Sequence, residues 1–164
     1  MTIKVALAGA GAFGIKHLDG IQNIPDVQVV SLISRDLAKT QEVADKYGIK
    51  HVTTDLADSL AIKEVDAVIL CTPTQMHASQ SIACLAAGKH VQVEIPLCDV
   101  LAEGENVLAL QQQTGLVAMC GHTRRFNPSH QYVHQKVTAG EFNIQQMDVQ
   151  TYFFRRTNMN ALGQ

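Results

Sequence analysis

The chain has 164 residues, of which 46% are hydrophobic and 17% are charged, a composition typical of a folded α/β protein and not of a disordered one. This length suffices for one full hydrophobic core, but two complete domains would not fit. Thirteen basic and fifteen acidic residues give a formal net charge of −2, which argues against nucleic acid as the main partner.

Strands and helices are predicted to alternate along most of the sequence, from apolar runs and from apolar residues at helical spacing. In chain order we predict a strand over 3–8, a helix over 12–24, a strand over 27–33, a helix over 37–47, a short helix from Asp55 to about residue 61, a strand over 65–71, a helix over 74–87, a strand over 90–93, a helix capped by Asp99 and ending near 113, a strand over 116–120 and a helix from 128 to about 139. This alternation is typical of parallel β-α-β units, so we predict an α/β fold of the Rossmann type, a doubly wound parallel sheet with helices on both faces.

The pattern changes after the last predicted helix. Residues 144–152 alternate apolar and polar side chains, which predicts a half-buried strand that needs antiparallel neighbours. No further strand candidate follows in the sequence. We therefore expect residues 1–121 to form one domain and residues 122–164 to be the beginning of a second domain of a longer protein.

A glycine-rich loop joins the first predicted strand to the first helix. Gly9, Gly11 and Gly14 fit G-x-G-x-x-G, with Ala12 and Phe13 between the last two. In this setting the first glycine allows a tight turn, the second lets the main chain approach a pyrophosphate, and the third lets helix and strand pack closely. The helix N-terminus offers unpaired N–H groups to phosphate oxygens. We predict that these residues bind a dinucleotide, in preference to a purely structural turn.

The end of the second predicted strand bears on which dinucleotide binds. An NAD site commonly has an acidic residue about 20 residues after the glycines, where it accepts hydrogen bonds from the ribose 2′-hydroxyl. Here the strand ends in Ser34 and Arg35, whose hydroxyl and guanidinium suit a 2′-phosphate. Asp36 follows and could still reach a ribose, and Arg35 could be a solvated loop charge. The positions favour NADP and leave NAD as the alternative.

Neither the cysteines nor the N-terminus indicates an exported or membrane protein. No two of the cysteines form a C-x-x-C pair, and all lie in apolar surroundings, which predicts reduced core thiols and a cytoplasmic location. The first ten residues lack the charged start of a signal peptide, and no apolar run reaches membrane-spanning length. His130 and His134 share a predicted helix, but the glutamate of H-E-x-x-H and a third ligand are missing, so no metal site is predicted.

Three blocks of sequence resemble the glucose-fructose oxidoreductase and inositol dehydrogenase family. They are residues 5–14, residues 71–77 together with 87–91, and the run Gly-His-Thr-Arg-Arg-Phe-Asn-Pro over 121–128. The resemblance implies a Rossmann domain followed by an α+β domain with an open antiparallel sheet, which serves substrate binding and homo-oligomerisation. Within the family, the chain looks most like a bacterial dehydrogenase of aromatic degradation that uses NADP to oxidise the cyclic hemiacetal of a carboxylated semialdehyde to a lactone.

Other candidate cofactor contacts follow the later strands. Thr72 and Pro73 lie past a predicted strand, at the edge where ligands of doubly wound sheets bind, and we predict that they line the nicotinamide side. Ordinary turn chemistry is the alternative. His77 is a candidate cofactor contact, although a packing or surface role is commoner for such a histidine. Glu94 follows the next strand at the same edge and is also assigned to the cofactor.

The residue after Glu94 departs from the family pattern. Members often have Glu-Lys-Pro here, with the lysine as proton acceptor, whereas this chain has Glu94-Ile95-Pro96. Isoleucine cannot move a proton, which disfavours oxidation of a sugar or inositol alcohol. A hemiacetal hydroxyl is more acidic, and its ring oxygen supports the carbon that gives up hydride, so its oxidation needs less help from a base. The catalytic residue stays unassigned, with His122 as a weak candidate proton relay.

Arginines beyond two predicted strands suit a carboxylated substrate, because guanidinium meets carboxylate in a bidentate pair. Arg124 and Arg125 follow the strand over 116–120, and Arg155 and Arg156 follow the late strand. We predict that Arg124 and Arg125 bind the substrate, since they stand at the ligand edge of the sheet. Solvated surface arginines are the alternative.

Three functions are compatible with these residues. The leading hypothesis is an NADP-dependent dehydrogenase of a small carboxylated hemiacetal. The second hypothesis is another oxidoreductase of the same family that acts on a sugar or polyol, which Ile95 disfavours because it cannot accept a proton. The third is a non-catalytic NAD(P)-binding sensor with a partner protein. Because the second domain is predicted to be incomplete, we expect this chain to bind cofactor better than it turns over substrate.

Overall fold

Strand and helix alternate from residue 3 to residue 120 in the computed structural model, which describes residues 2–150 and residue 152. The strands are β1 (Ile3–Ala8), β2 (Val27–Ile33), β3 (His51–Thr53), β4 (Ala67–Leu70), β5 (His90–Val93) and β6 (Ala118–Cys120). The helices are α1 (Ala12–Ile21), α2 (Leu37–Tyr47), α3 (Leu56–Leu60), α4 (Thr74–Ala86), α5 (Leu101–Thr114) and α6 (Pro128–Thr138), with a 3-10 turn (Thr123–Phe126) before α6. Two compact units comprise Met1–His122 and Thr123–Gln164.

The strands of the first unit form one parallel sheet in the order β3-β2-β1-β4-β5-β6. This order confirms the predicted doubly wound Rossmann sheet. The sequence of strands reverses between β1 and β4, which opens a crevice at the carboxyl ends of these two strands. The last residue of β1, Ala8, pairs with Ile33 on one side and Leu70 on the other, so the ends of β1, β2 and β4 meet at one edge.

Both faces of the sheet are buried, as expected for parallel strands covered by helices. Residues 5–8 of β1 are all buried, and residues 6–8 alternate between two apolar clusters. Ala6 and Ala8 pack in the cluster that includes residues of α4 and α5, whereas Leu7 packs with Leu18 of α1 and Ala44 of α2. This burial holds the sheet edge, and therefore the loops that follow it, in a fixed arrangement.

The predicted N-cap of α3 is confirmed, the predicted N-cap of α5 is wrong, and α2 has an N-cap that was not predicted. The carboxylate of Asp36 accepts a hydrogen bond from the Lys39 N–H, and Asp55 accepts one from the Ala57 N–H. The prediction that Asp99 caps α5 is wrong, because Val100 occupies the N-cap position and no side chain caps the helix. Bends over residues 95–100 bring the chain into α5 one residue later than the capping pattern suggests.

The predicted boundaries of α1 and β4 were too wide. α1 ends at Ile21 and not at residue 24, because Pro25 disfavours helical geometry in the residue before it. β4 covers 67–70 instead of 65–71, since the Val65 N–H closes the preceding turn on the Ile62 carbonyl at 3.1 Å and the strand begins after it. β3 was missed altogether, because three residues are too few for a periodic pattern.

The predicted strand over 144–152 is also wrong for the residues that the structure describes. Residues 144–150 and 152 are exposed and pair with no strand. A strand needs a neighbour to satisfy its N–H and C=O groups, and the described part of the second unit supplies none. Thr151, Arg155 and Arg156 lie outside the described residues. None of the described helices is both long enough and apolar enough to cross a membrane.

Candidate dinucleotide site

Two of the three loop glycines are required by the fold itself. Gly9 has a φ of +108°, and a Cβ there would lie 2.4 Å from the Cys71 carbonyl oxygen. A Cβ on Gly14 would lie 1.8 Å from the Gly9 carbonyl oxygen. Any side chain at either position therefore collides with main-chain atoms, and the loop stays folded tightly over the end of β1.

Gly11 differs from the other two glycines. It is the N-cap of α1, it is exposed, and a Cβ built on it would meet nothing within 4 Å. Ala12 and Phe13 begin the helix beside it, and both are also exposed. The space in front of the α1 N-terminus is thus open to a ligand, and the first-turn N–H groups face it without side-chain caps.

The end of β2 presents a cationic surface. Ser34 is half-buried, with its N–H donating to the Thr53 carbonyl at 3.2 Å, and Arg35 is exposed. Asp36 is turned into α2: one carboxylate oxygen accepts the Lys39 N–H at 3.2 Å, and the other lies 3.2 Å from Lys39 Nζ. The main-chain hydrogen bond from Lys39 is the main reason that the pKa of Asp36 lies below its usual value, and the Lys39 side chain lowers it further. Arg35 is exposed beside this ion pair, in which the Asp36 side chain is itself 51% exposed.

The residues predicted for the nicotinamide end lie beyond β4 and β5. Thr72 is half-buried and its hydroxyl donates to Gln80, while Pro73 is exposed and stands at the N-cap of α4. Glu94 directly follows β5, and its N–H donates to the Leu70 carbonyl at 2.9 Å. The Glu94 carboxylate and the Thr72–Pro73 turn therefore belong to neighbouring strand ends at one edge of the sheet.

His77 has a structural environment that the sequence did not reveal. Its side chain is 2% exposed, with Nδ1 2.7 Å from the Pro96 carbonyl oxygen and Nε2 2.7 Å from the Thr72 carbonyl oxygen. Both ring nitrogens are thus used by main-chain groups of the loops after β4 and β5. The ring ties these two loops together and does not offer a polar atom to a ligand.

We expect His77→Leu to lower the free energy of unfolding by about 1–3 kcal/mol, because the buried ring would no longer donate a hydrogen bond to the Thr72 or Pro96 carbonyl group. A urea titration followed by circular dichroism measures this change. His77→Gln, which keeps one donor, should lose less. Unchanged stability combined with weakened dinucleotide binding would contradict this assignment and favour a direct cofactor contact.

A group of three polar side chains at the same edge was missed by sequence reasoning. His17 of α1 places Nε2 2.8 Å from Glu94 Oε1, and the Cys71 sulfur lies within 4.8 Å of a ring nitrogen of His17 and a carboxylate oxygen of Glu94. Burial and the nearby Glu94 carboxylate raise the pKa of Cys71 to about 12, so the thiol is neutral at ordinary pH. A metal ion would have to displace both that proton and the hydrogen bond. Within the described residues, no other group has this metal-ligand spacing.

Gly121 lies against the Glu94 carboxylate. A Cβ on Gly121 would lie 2.9 Å from Gln92 Nε2 and 3.1 Å from Glu94 Oε1. Oε1 of Gln92 is buried without a hydrogen-bond partner among the described residues. His122, the candidate proton relay, follows as an exposed residue whose Nδ1 lies 3.4 Å from the Cys120 carbonyl oxygen. It extends beyond the end of β6 without a strong contact.

The predicted substrate arginines belong to the second unit. Arg124 and Arg125 lie in the 3-10 turn Thr123–Phe126, and both are exposed. His130 and His134 lie on α6 and are exposed as well. Substrate binding by Arg124 and Arg125 stays a prediction.

Comparisons with known proteins place this geometry among dehydrogenases. Residues 3–122 match a family model described as an oxidoreductase family with an NAD-binding Rossmann fold, and residues 128–164 match one described as the C-terminal part of bacterial oxidoreductases. The chain is 67% identical over 162 residues to the 4-carboxy-2-hydroxymuconate-6-semialdehyde dehydrogenase of Sphingobium sp., a match that covers 99% of this chain and 51% of that protein. It is 33% identical to the inositol 2-dehydrogenase of Rhodococcus erythropolis, over 82% of this chain and 39% of the other.

Among solved structures, scyllo-inositol dehydrogenase from Lactobacillus casei with bound NAD(H) and scyllo-inositol has a TM-score of 0.82 and 29% identity. That match covers 86% of this chain and 42% of the other. The chain thus spans about half the length of the curated relatives it matches.

Proposed function

The chain belongs to the family of oxidoreductases with an NAD-binding Rossmann fold, and on that premise we propose that it binds NADP and oxidises the cyclic hemiacetal of 4-carboxy-2-hydroxymuconate-6-semialdehyde to 2-pyrone-4,6-dicarboxylate. The observation that carries the choice of substrate is the 67% identity to the Sphingobium dehydrogenase over 99% of this chain. The inositol dehydrogenases are half as similar, with identities of 29–33%.

The choice of NADP over NAD is supported by the contacts at the end of β2. In an NAD site an acidic residue accepts hydrogen bonds from the ribose 2′-hydroxyl. Asp36 is the acidic residue at this position, and its carboxylate is already bound to Lys39 and the start of α2. Ser34 and the exposed Arg35 would then face the 2′ position, where a guanidinium and a hydroxyl would bind a phosphate.

Bound NADP+ would supply the hydride acceptor for the carbon that becomes the lactone carbonyl. Gly11 and the N-terminus of α1 would hold the pyrophosphate, and Thr72, Pro73 and Glu94 would line the nicotinamide side. Ile95, 51% exposed, stands where a proton-accepting lysine would be in many relatives. The hemiacetal proton would leave to His122 or to solvent, which the greater acidity of that hydroxyl allows.

The arginines complete the proposed recognition of the substrate. The substrate is multiply carboxylated, and planar guanidinium groups pair with carboxylates through two parallel hydrogen bonds. Arg124 and Arg125 would supply these pairs in the complete enzyme. Their exposure in the second unit leaves their hydrogen-bond donors available for a ligand.

A chimera tests the proposal, because the matched relative contains a second half that this chain does not span. Joining this chain to the part of the Sphingobium protein beyond the match should give an enzyme that reduces NADP+ with the semialdehyde and leaves inositol unreacted. The absorbance of reduced nicotinamide measures both reactions. The same chimera with Gly11→Ala is the control for cofactor-dependent turnover.

Two results would contradict the proposal. A chimera that binds NADP+ and oxidises inositol but not the semialdehyde would instead be a polyol dehydrogenase. A chimera that binds the cofactor tightly and oxidises no member of a broad alcohol and hemiacetal panel would favour the sensor hypothesis.

A further inference from the structure

One hydrogen bond connects the helix of the glycine loop with the opposite half of the sheet. His17 lies on α1, one turn after Gly14, and its Nε2 is 2.8 Å from Oε1 of Glu94 at the end of β5. The two residues are 77 positions apart in the sequence, and the contact spans the strand order β1-β4-β5. The side chains are 27% and 15% exposed, so the bond is partly shielded from water.

The surroundings of Glu94 restrict its carboxylate on several sides. The neutral Cys71 thiol lies within 4.8 Å of one oxygen of this carboxylate, and the Cα of Gly121 is so close that a Cβ there would approach Oε1 to 3.1 Å. Neither neighbour carries a charge. His17 is therefore the group that can donate a strong hydrogen bond to this carboxylate and fix its rotamer.

A fixed carboxylate at this edge suits a ligand that carries hydroxyl donors. Glu94 follows β5 at the carboxyl edge of the sheet, next to the end of β4, on the side of the crevice away from Arg35 and β2. A dinucleotide that has its pyrophosphate at Gly11 extends its second ribose in this direction. Ribose hydroxyls donate to carboxylates, and a carboxylate that is already oriented loses less entropy when it binds them.

We propose that His17 is a positioning residue for the dinucleotide: it donates Nε2–H to Glu94 Oε1 and so orients Glu94 toward the hydroxyl groups of the nicotinamide-side ribose. This inference rests on the proposed function, because it assumes that a dinucleotide binds in the crevice. It assigns to α1 a second role, in addition to receiving the pyrophosphate at its N-terminus. His17 acts through Glu94 and touches neither the reacting carbon nor the hydride.

The test compares a whole cofactor with a fragment that lacks the nicotinamide half. In the 164-residue chain, His17→Leu should raise the dissociation constant of NADP+ about tenfold, the size of one charge-assisted hydrogen bond. Binding of adenosine 2′,5′-bisphosphate, which ends before the second ribose, should change less than about twofold. His17→Gln keeps an N–H donor at a similar reach and should restore NADP+ affinity to within about threefold of the original.

The Glu94 variants show whether the two residues act together. Glu94→Gln should weaken NADP+ selectively as well, and adding His17→Leu to it should cause little further loss, because the carboxylate to be oriented is gone. His51→Leu is the matched control, since His51 also makes a 2.8 Å hydrogen bond, to Ser31, and lies at the amino end of β3. It should leave both affinities unchanged.

Several outcomes would overturn the inference. They are an unchanged NADP+ affinity in His17→Leu, equal weakening of NADP+ and the bisphosphate, which indicates a general structural role, or fully additive losses with Glu94→Gln. The proposed function fails in a different way. If the unaltered chain, shown to be folded by circular dichroism, binds neither NADP+ nor NAD+, the function itself is wrong.

Discussion

Gly14→Ala is expected to destabilise the first unit by about 4 kcal/mol or more, which places it among the most damaging single substitutions. The new Cβ would lie 1.8 Å from the Gly9 carbonyl oxygen, and that atom belongs to the main chain, so no side-chain rotation relieves the overlap. Either α1 must move away from the sheet or the loop must open. A urea titration followed by circular dichroism measures the loss.

Two other glycines provide the controls for this substitution. Gly11→Ala adds a methyl group where nothing lies within 4 Å, so the free energy of unfolding should change by less than about 1 kcal/mol. Its NADP+ affinity should nevertheless fall at least about 30-fold, because the methyl group occupies the space for the pyrophosphate. Gly20→Ala, inside α1 and equally uncrowded, should stabilise the chain by about 0.5–1 kcal/mol.

Gly14→Ala is expected to affect stability, and Gly11→Ala is expected to affect NADP+ binding, so the two substitutions separate folding from binding. If Gly11→Ala binds NADP+ as tightly as the unaltered chain, the pyrophosphate does not lie against the start of α1. If Gly14→Ala is as stable as the unaltered chain, Gly14 does not pack closely against the Gly9 carbonyl oxygen.

Arg35→Asp is expected to weaken NADP+ binding about 100-fold while changing the affinity for NAD+ less than about threefold. The substitution removes charge-assisted hydrogen bonds worth about 1.5–3 kcal/mol and adds a negative charge beside the 2′-phosphate, and about 1.4 kcal/mol corresponds to a tenfold change in affinity. NAD+ has a 2′-hydroxyl in place of the phosphate, and the new carboxylate can accept its hydrogen bond. Titration calorimetry with both dinucleotides measures the ratio.

Matched variants isolate the role of the guanidinium. Lys63→Asp makes the same change of charge at an exposed site before β4, at the amino edge of the sheet, and should affect both dinucleotides equally and slightly. Arg35→Lys keeps the charge but loses the planar fork, so an intermediate loss of about tenfold is expected. Equal losses of NADP+ and NAD+ in Arg35→Asp would reject the 2′-phosphate role.

Most of the parallel sheet was predictable from the sequence because its strands other than β3 form apolar runs that alternate with helical patterns. Asp55 caps α3 as predicted, and Gly14 occupies a position where only glycine fits. These features depend on residues that lie close together in the chain. Local sequence patterns were therefore enough to predict the glycine loop and the carboxyl edge of the sheet on which it lies.

The missed features depend on contacts between distant residues. The His17–Glu94 hydrogen bond joins positions 77 residues apart, and no local pattern marks either residue as a partner. The environment of His77 is set by a loop 19 residues later in the chain. The alternation over 144–152 predicted a strand, but its described residues, 144–150 and 152, form none, because a strand needs a neighbour for its main-chain hydrogen bonds.

Calorimetric titration of the 164-residue chain with NADP+ and, separately, NAD+ shows whether this chain carries an NADP site built on the glycine loop and Arg35. We expect one site per chain, with NADP+ bound at least about tenfold more tightly than NAD+, as one charge-assisted contact to the phosphate requires. A folded chain that binds neither dinucleotide, or that binds NAD+ more tightly, would contradict the assignment of an NADP site to this chain.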